Sequence, residues 1–265
     1  MGFKIYKNTI NNTSYFNNIV TKNLDVNSIE FQNGIQTSYI PNGVNNGDYL
    51  YWDNTQNKWT VSTTNIKIGE SSGLNNQAAG GIAIGFASGL NNQNINSIAI
   101  GILAGAETQK NDSIAIGYNA GGEYQNIGAI SIGSNSGTYT QGIGSIGIGF
   151  GAGYSNQQDE SISIGSLSGF QNKNPNSIAI GKESGYINQG TNAIAIGIYA
   201  GQTNQHQNSI IINGSGNSLN STNTNSLYIK PIRQMSPGVN ILPNLPNNFY
   251  TVAYNPTSGE IIYIN

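Results

Sequence analysis

The 265-residue chain contains no cysteine, one histidine and little charge. Without cysteine it has no disulfide frame and no thiolate metal site. Charged residues make up 8% of it, far below the roughly 25% of an ordinary domain. Ten basic residues stand against twelve acidic ones, for a formal charge of −2, and no basic run occurs. Nothing here marks a partner as nucleic acid or as an anionic membrane. Long apolar runs are missing too. The start, Met1-Gly-Phe-Lys-Ile-Tyr-Lys7, carries neither a signal peptide nor a span, so no membrane insertion is expected. An outside location would then need another route, such as carriage on a virus particle. The single histidine, His206, has only glutamine and asparagine beside it, and the acids are scattered. Asp159 and Glu160 are adjacent, but neighbours on a strand point to opposite faces. No acid, base and nucleophile come together, and no Asp-rich calcium repeat is present. No enzyme activity, cofactor or metal is expected.

Glycine, asparagine and isoleucine are abundant, and they are ordered. An Ile-x-Ile-Gly phrase returns every 16 residues, its glycine falling at Gly69, Gly85, Gly101, Gly117, Gly133, Gly149, Gly165, Gly181 and Gly197, with Asn213 as a tenth return. A strict short period predicts a solenoid in which each unit is one coil stacked on its neighbours. With the recurring glycine as position 0, isoleucine holds −3 and −1 in every coil, from Ile66 and Ile68 to Ile210 and Ile212. Two residues apart is strand spacing, so both isoleucines face one side. Position −2 is small: Ala83, Ala99, Ala115, Ser131, Gly147, Ser163, Ala179 and Ala195. Burying an isoleucine is worth about 1.5–3 kcal/mol, so the isoleucine face is expected inside the coil. On that reading Ile146→Asp unfolds the middle coils. The small face is expected to lie between chains, where it lets backbones approach closely.

A second glycine recurs at +4, from Gly73 to Gly201, and marks a tight corner. An apolar or larger residue often follows at +5 (Leu74, Leu90, Tyr154, Phe170, Tyr186). Glutamine stands at +8 in eight coils and asparagine at +7 in six. Identical amides stacked about 4.8 Å apart predict hydrogen-bonded ladders. The stretch at 142–147 matches G-x-G-x-x-G, but no helical pattern follows it, so it is a product of the repeat rather than a dinucleotide site.

Ser-Ile-Ala-Ile-Gly at 97–101, 113–117 and 177–181, followed by Ala-Gly or Ser-Gly, resembles the head repeats of trimeric autotransporter adhesins of the YadA type. The resemblance covers roughly 66–214. It implies a left-handed parallel β-roll with three chains to a head, although the general rule for β crossovers favours the right hand. The 16-residue coil is slightly longer than the usual adhesin coil, and the coiled-coil stalk and membrane anchor of the adhesins are not expected from these 265 residues. The C-terminal segment resembles the region before the chaperone domain in endosialidase-chaperone fibre proteins of phages and giant viruses. That resemblance implies a chaperone either removed by self-cleavage or never present.

Three regions are expected: a β-rich attachment or capping segment at 1–64, the roll at 65–214, and a strand with a hairpin cap at 215–265. In the first, two short aromatic strands flank a polar turn within 48–61. In the last, a strand at 225–233 leads through Pro237, Pro243 and Pro246 to a hairpin turning at 256–259. An all-β, homotrimeric fibre protein of the virion surface is the leading expectation, acting as spacer and receptor-binding element. Its partners would be its own copies, capsid or other fibre proteins, and a host-cell glycan or receptor. A bacterial surface adhesin head is the alternative, followed by a soluble glycan- or ice-binding solenoid. Candidate contact residues are Trp52, Trp59, Tyr154, Phe170 and Tyr186, since aromatic side chains dominate recognition surfaces. The candidate trimer interface is the small column from Ala83 to Ala195.

Overall fold

Short strands of alternating isoleucine and small residues cannot stand alone, and here they stack. The structure is a computed structural model and describes residues 8–10, 13–15, 41, 43–53, 56–62, 64–232 and 251–264. These residues are all-β, with no helix among them. The chain divides into two units, 1–61 and 62–265.

In the second unit the Ile-x-Ile segments form a parallel sheet, one strand per coil, from Ile66–Ile68 to Ile210–Asn213. Each residue pairs with the one 16 further on: Ile82 with Ile98, Ile98 with Ile114, Ile130 with Ile146. A second parallel sheet holds the +6 to +8 segments, six strands from Thr108–Gln109 to Ile187–Gln189, in the same register (Gln125 with Gln141). The chain is a parallel β-solenoid of about ten turns, as the repeat predicts. The two glycine columns make the corners. At position 0, Gly117 and Gly133 have φ of 127° and 122°, a backbone that L side chains adopt only with strain.

The burial of the strands is the reverse of the expectation. The small residues point inward and the isoleucines outward. Ala83, Ala99, Ala115, Ser131, Ser163, Ala179 and Ala195 are fully buried and Gly147 is buried with them. Most isoleucines at −3 and −1 stay half-exposed, and Ile66, Ile68, Ile180, Ile196, Ile210 and Ile212 are exposed. The eight small residues therefore cannot touch another chain, because their own coil encloses them. The cause is the thinness of the coil. Its interior is filled by alanine, serine and glycine from positions −4, −2, +3 and +4 and by one glutamine from +8, leaving no volume for paired isoleucines at close-packed density.

The interior is consequently polar, and most of its polar groups are bonded. Gln125 Nε2 crosses the coil to the carbonyls of Ile114 (2.7 Å) and Ala129 (3.0 Å), and also reaches Gln141 Oε1 in the next coil at 3.1 Å. Ser113 Oγ donates to Lys110 O at 2.6 Å, and the other −4 serines repeat this bond. The expected amide ladders are present both inside, through Gln109, Gln125 and Gln141, and outside, where Asn156, Asn172, Asn188 and Asn204 are linked in turn.

The parallel ladder continues past 214. Ile210–Asn213 pairs in parallel with Leu227–Lys230, one residue out of period (Ile210 with Leu227). Here the inward position carries Ile211 and then Tyr228, both fully buried, and with Leu219, Ala195 and Ala200 they close the end of the roll in a true apolar cluster. The antiparallel hairpin of Thr251–Tyr254 and Glu260–Ile264 then adds to the same sheet, with Leu227 opposite Ile261. It covers the strand edge that a last coil exposes. His206 is tied into this end: its backbone N–H donates to Ser221 Oγ at 2.8 Å, and its ring Nδ1 lies 3.1 Å from the same oxygen. The proline link expected at 237–246 falls outside the described residues.

In the first unit, Asn8–Ile10 pairs with Thr13–Tyr15. Tyr49–Asp53 and Lys58–Ser62 form the expected aromatic pair of strands around a polar turn.

Candidate interaction surface

Because the isoleucines at −3 and −1 point away from the coil, they line one outer face as two unbroken columns through ten coils. Two further columns flank them. Just after the glycine, at +1, stand Phe86, Ile102, Tyr118 and Phe150, each about half exposed. Just before the strand, at −6, stand Ile95, Ile127 and Ile143, likewise exposed. Towards the C-terminal coils these flanks turn polar, with Ser166 and Lys182 on one side and Asp159, Thr191 and Gln207 on the other. The apolar face is thus broadest over the coils of Gly85 to Gly149, with Asn111 and Ser134 as gaps in its flanks, and beyond them it is mainly the isoleucine columns, with Ile198 at +1 of the Gly197 coil. Exposed apolar patches of this extent are rare on monomeric soluble proteins, which makes this face the candidate interaction surface. The columns were legible in the sequence; their direction was not.

The aromatic candidates fall into two places. Tyr154, Phe170 and Tyr186 lie in successive coils and stack on one another, with centroid separations of 4.8 and 5.1 Å and interplanar angles of 6° and 17°. Tyr139 joins the pile edge-on, 5.1 Å from Tyr154 at 89°, and accepts a bond from the Tyr154 hydroxyl at 3.4 Å. It escaped the repeat reading because it sits at +6, one residue out of the column. Rings piled along the axis present edges rather than faces to a ligand, so the pile is first an internal brace. Phe170, held between two rings, is the residue to test. Two stacking contacts at about 0.5–1.5 kcal/mol each lead us to expect Phe170→Ala to lower stability by about 1–3 kcal/mol in urea denaturation. An unchanged midpoint would show that the pile contributes nothing.

Trp52 and Trp59 face each other across the two strands Tyr49–Asp53 and Lys58–Ser62, 5.6 Å apart and edge-to-face at 77°. Both remain exposed, at 43% and 40%, beside exposed Leu50. This pair is more open than Tyr154, Phe170 and Tyr186, which are half-buried in their stack.

No cluster of three or more histidine, cysteine or acidic side chains able to hold a metal is found among the described residues. No helix of the described residues is long and apolar enough to cross a membrane. No protein-family profile, curated protein or solved structure matches the chain.

Proposed function

We propose that the chain is a non-enzymatic fibre protein that assembles as a homotrimer through its isoleucine face and serves on the outside of a virus particle as spacer and attachment element. The observation that carries this reading is the pair of exposed isoleucine columns, continuous over ten coils. A solitary rod gains nothing from them, whereas covering each isoleucine contributes about 25 cal/mol per Å² removed from water.

The two flanks support a cyclic arrangement. They differ in kind, aromatic and aliphatic at +1 and isoleucine at −6, and lie over the same stretch of the roll, together in the Gly101 and Gly149 coils. In a ring each chain presents one flank to one neighbour and the other flank to the next, as a heterologous contact requires. Three chains are the number that the resemblance to adhesin heads implies. The polar asparagine ladders would then face outward, and the Trp52–Trp59 pair, with both rings exposed, is the contact for a host-cell glycan or receptor.

Sedimentation of the purified protein should give three times the chain mass of 28.0 kDa, and antibody labelling should place it on the surface of intact particles. A monomer at micromolar concentration would overturn the assembly. Labelling confined to a bacterial envelope would replace the virion role by that of an adhesin head. Loss of cell or glycan binding in Trp52→Ala, with the assembly intact, is the result expected if the hairpin is the receptor site.

A further inference from the structure

One coil breaks the rule of an uncharged interior. The +8 column is glutamine in every coil from Gln77 to Gln205 except at Lys173. The Lys173 side chain is fully buried, and its Nζ donates to Gln189 Oε1 in the next coil. In the coils on either side, the glutamine amide crosses to the opposite strand. Gln157 Nε2 bonds Ile146 O at 2.8 Å and Ser161 O at 3.1 Å, and Gln189 Nε2 bonds Ile178 O at 2.8 Å and Ala193 O at 3.3 Å. The amine has no amide to make those bonds with.

The polar network is interrupted around it. In the Gly133 coil, Ser131 Oγ donates to Gln141 Oε1 at 2.6 Å. In the Gly165 coil the equivalent serine is Ser163, and Lys173 stands where that acceptor would be. Ser163 Oγ is buried without a hydrogen-bond partner. The unpaired oxygens of Gln77, Gln109 and Gln157 in the same column are a separate matter, since each lacks the bond from the preceding coil and none bonds a titratable group. Nothing inside the coil balances a charge. The inward side chains on the strands packed around Lys173 are Gln157, Ser163, Ala179 and Gln189, none of which titrates. The nearby charged groups Asp159, Glu160 and Lys182 are exposed, and Glu183 sits half-buried on an outer turn, 3.8 Å from Lys182.

We infer that Lys173 makes the Gly165 coil a proton-sensitive joint, the place where the roll opens first as the solution is acidified. Burial pushes the amine well below the usual lysine range. The sign follows from linkage. Above the ordinary lysine value of about 10.4, closed and open coils are both neutral and the joint is at full strength. As the pH falls below that value the open coil takes up a proton that the closed coil refuses. The opening equilibrium then rises about tenfold per pH unit, until the depressed value of the closed coil is reached, and is flat below it. An ammonium inside this interior would be a buried charge without a counter-ion.

Hydrogen exchange on the full-length protein, read peptide by peptide between pH 7 and pH 9, tests this. The opening constant of peptides within 155–189 is divided by that of peptides within 98–148, so that effects common to the whole rod cancel. The ratio is expected to fall at least about tenfold from pH 7 to pH 9. In Lys173→Met, which keeps the stem and cannot titrate, and in Lys173→Gln, which restores the column, the ratio should not depend on pH. A pH-independent ratio in the unaltered protein would overturn the joint, and so would the same pH dependence in Lys173→Met. The inference rests on the coil alone, so a failure of the trimer would leave it standing.

Discussion

Gly133→Ala is expected to destabilise the roll by about 3 kcal/mol or more. Two costs add. The backbone at Gly133 has φ of 122°, a conformation that costs a residue with a Cβ about 1–3 kcal/mol. The added methyl would also lie 2.6 Å from Gly149 O and 2.8 Å from Gly149 C. Both are backbone atoms of the next coil, which is fixed by the ladder bond from Gly149 N to Ile132 O at 2.8 Å. The next glycine stands in the same relation to Gly165, so no coil can yield without moving the one above it. Overpacking without relief typically costs a further 1–3 kcal/mol. Gly128 is the internal control. Its φ is 64° and a Cβ there would meet nothing within 4 Å. Its column elsewhere holds Asn96, Asn176 and Asn192 at similar φ, so Gly128→Asn should be nearly neutral. Urea midpoints of the two variants decide the matter. Equal losses would mean that the close approach of coils does not limit the glycine column.

The period, the register and the amide ladders could be read from the sequence because stacking repeats them in every coil. Residue i meets residue i+16, so Gln125 above Gln141 or Ile98 above Ile114 follows from counting alone. The direction of each column does not follow. Period-two alternation says that Ile114 and Ile116 share a face and Ala115 takes the other, but not which face is inside. Apolar burial decides that question in a domain with a wide core. Here the cross-section decides it. A coil closed by glycine corners and bridged by a single glutamine has room only for Ala, Ser and Gly, so the hydrophobic residues are displaced to the outside. The recurrence of Gln at +8 in all coils but one from Gln77 to Gln205 was the available signal, since an amide that must reach the opposite carbonyl sets the width of the coil. The strand within 225–233 was expected, but its parallel pairing with the last coil was hidden by one inserted residue, and Tyr139 by a shift of one position. Lys173 stood in plain view as the odd member of its column. Its meaning depended on the column being buried.

Placing a carboxylate on the isoleucine face should therefore break the assembly rather than the coil. In the double variant Ile132→Glu, Ile148→Glu, two adjacent rungs of the −1 column carry like charges. Both positions are half-exposed in a single chain, so the roll can form with the new side chains in water. In the proposed trimer they would be buried near the three-fold axis, each an unpaired charge costing about 3–5 kcal/mol. Sedimentation is expected to shift to the 28.0 kDa chain, with the β-type far-UV spectrum retained. The reverse holds for the inner column. Ala115 is fully enclosed, with Ala99, Ala104 and Ala120 packed beside it, so Ala115→Gln should unfold the roll, since no space exists for the longer side chain. The pair separates the two faces: charge outside dissociates, bulk inside unfolds. A double variant that sediments as the unaltered protein, with the same melting temperature, would show that the isoleucine columns are not the interface. If the dissociated chain unfolds as well, the melting temperature of the unaltered protein must rise with its concentration, because folding and assembly are then one equilibrium.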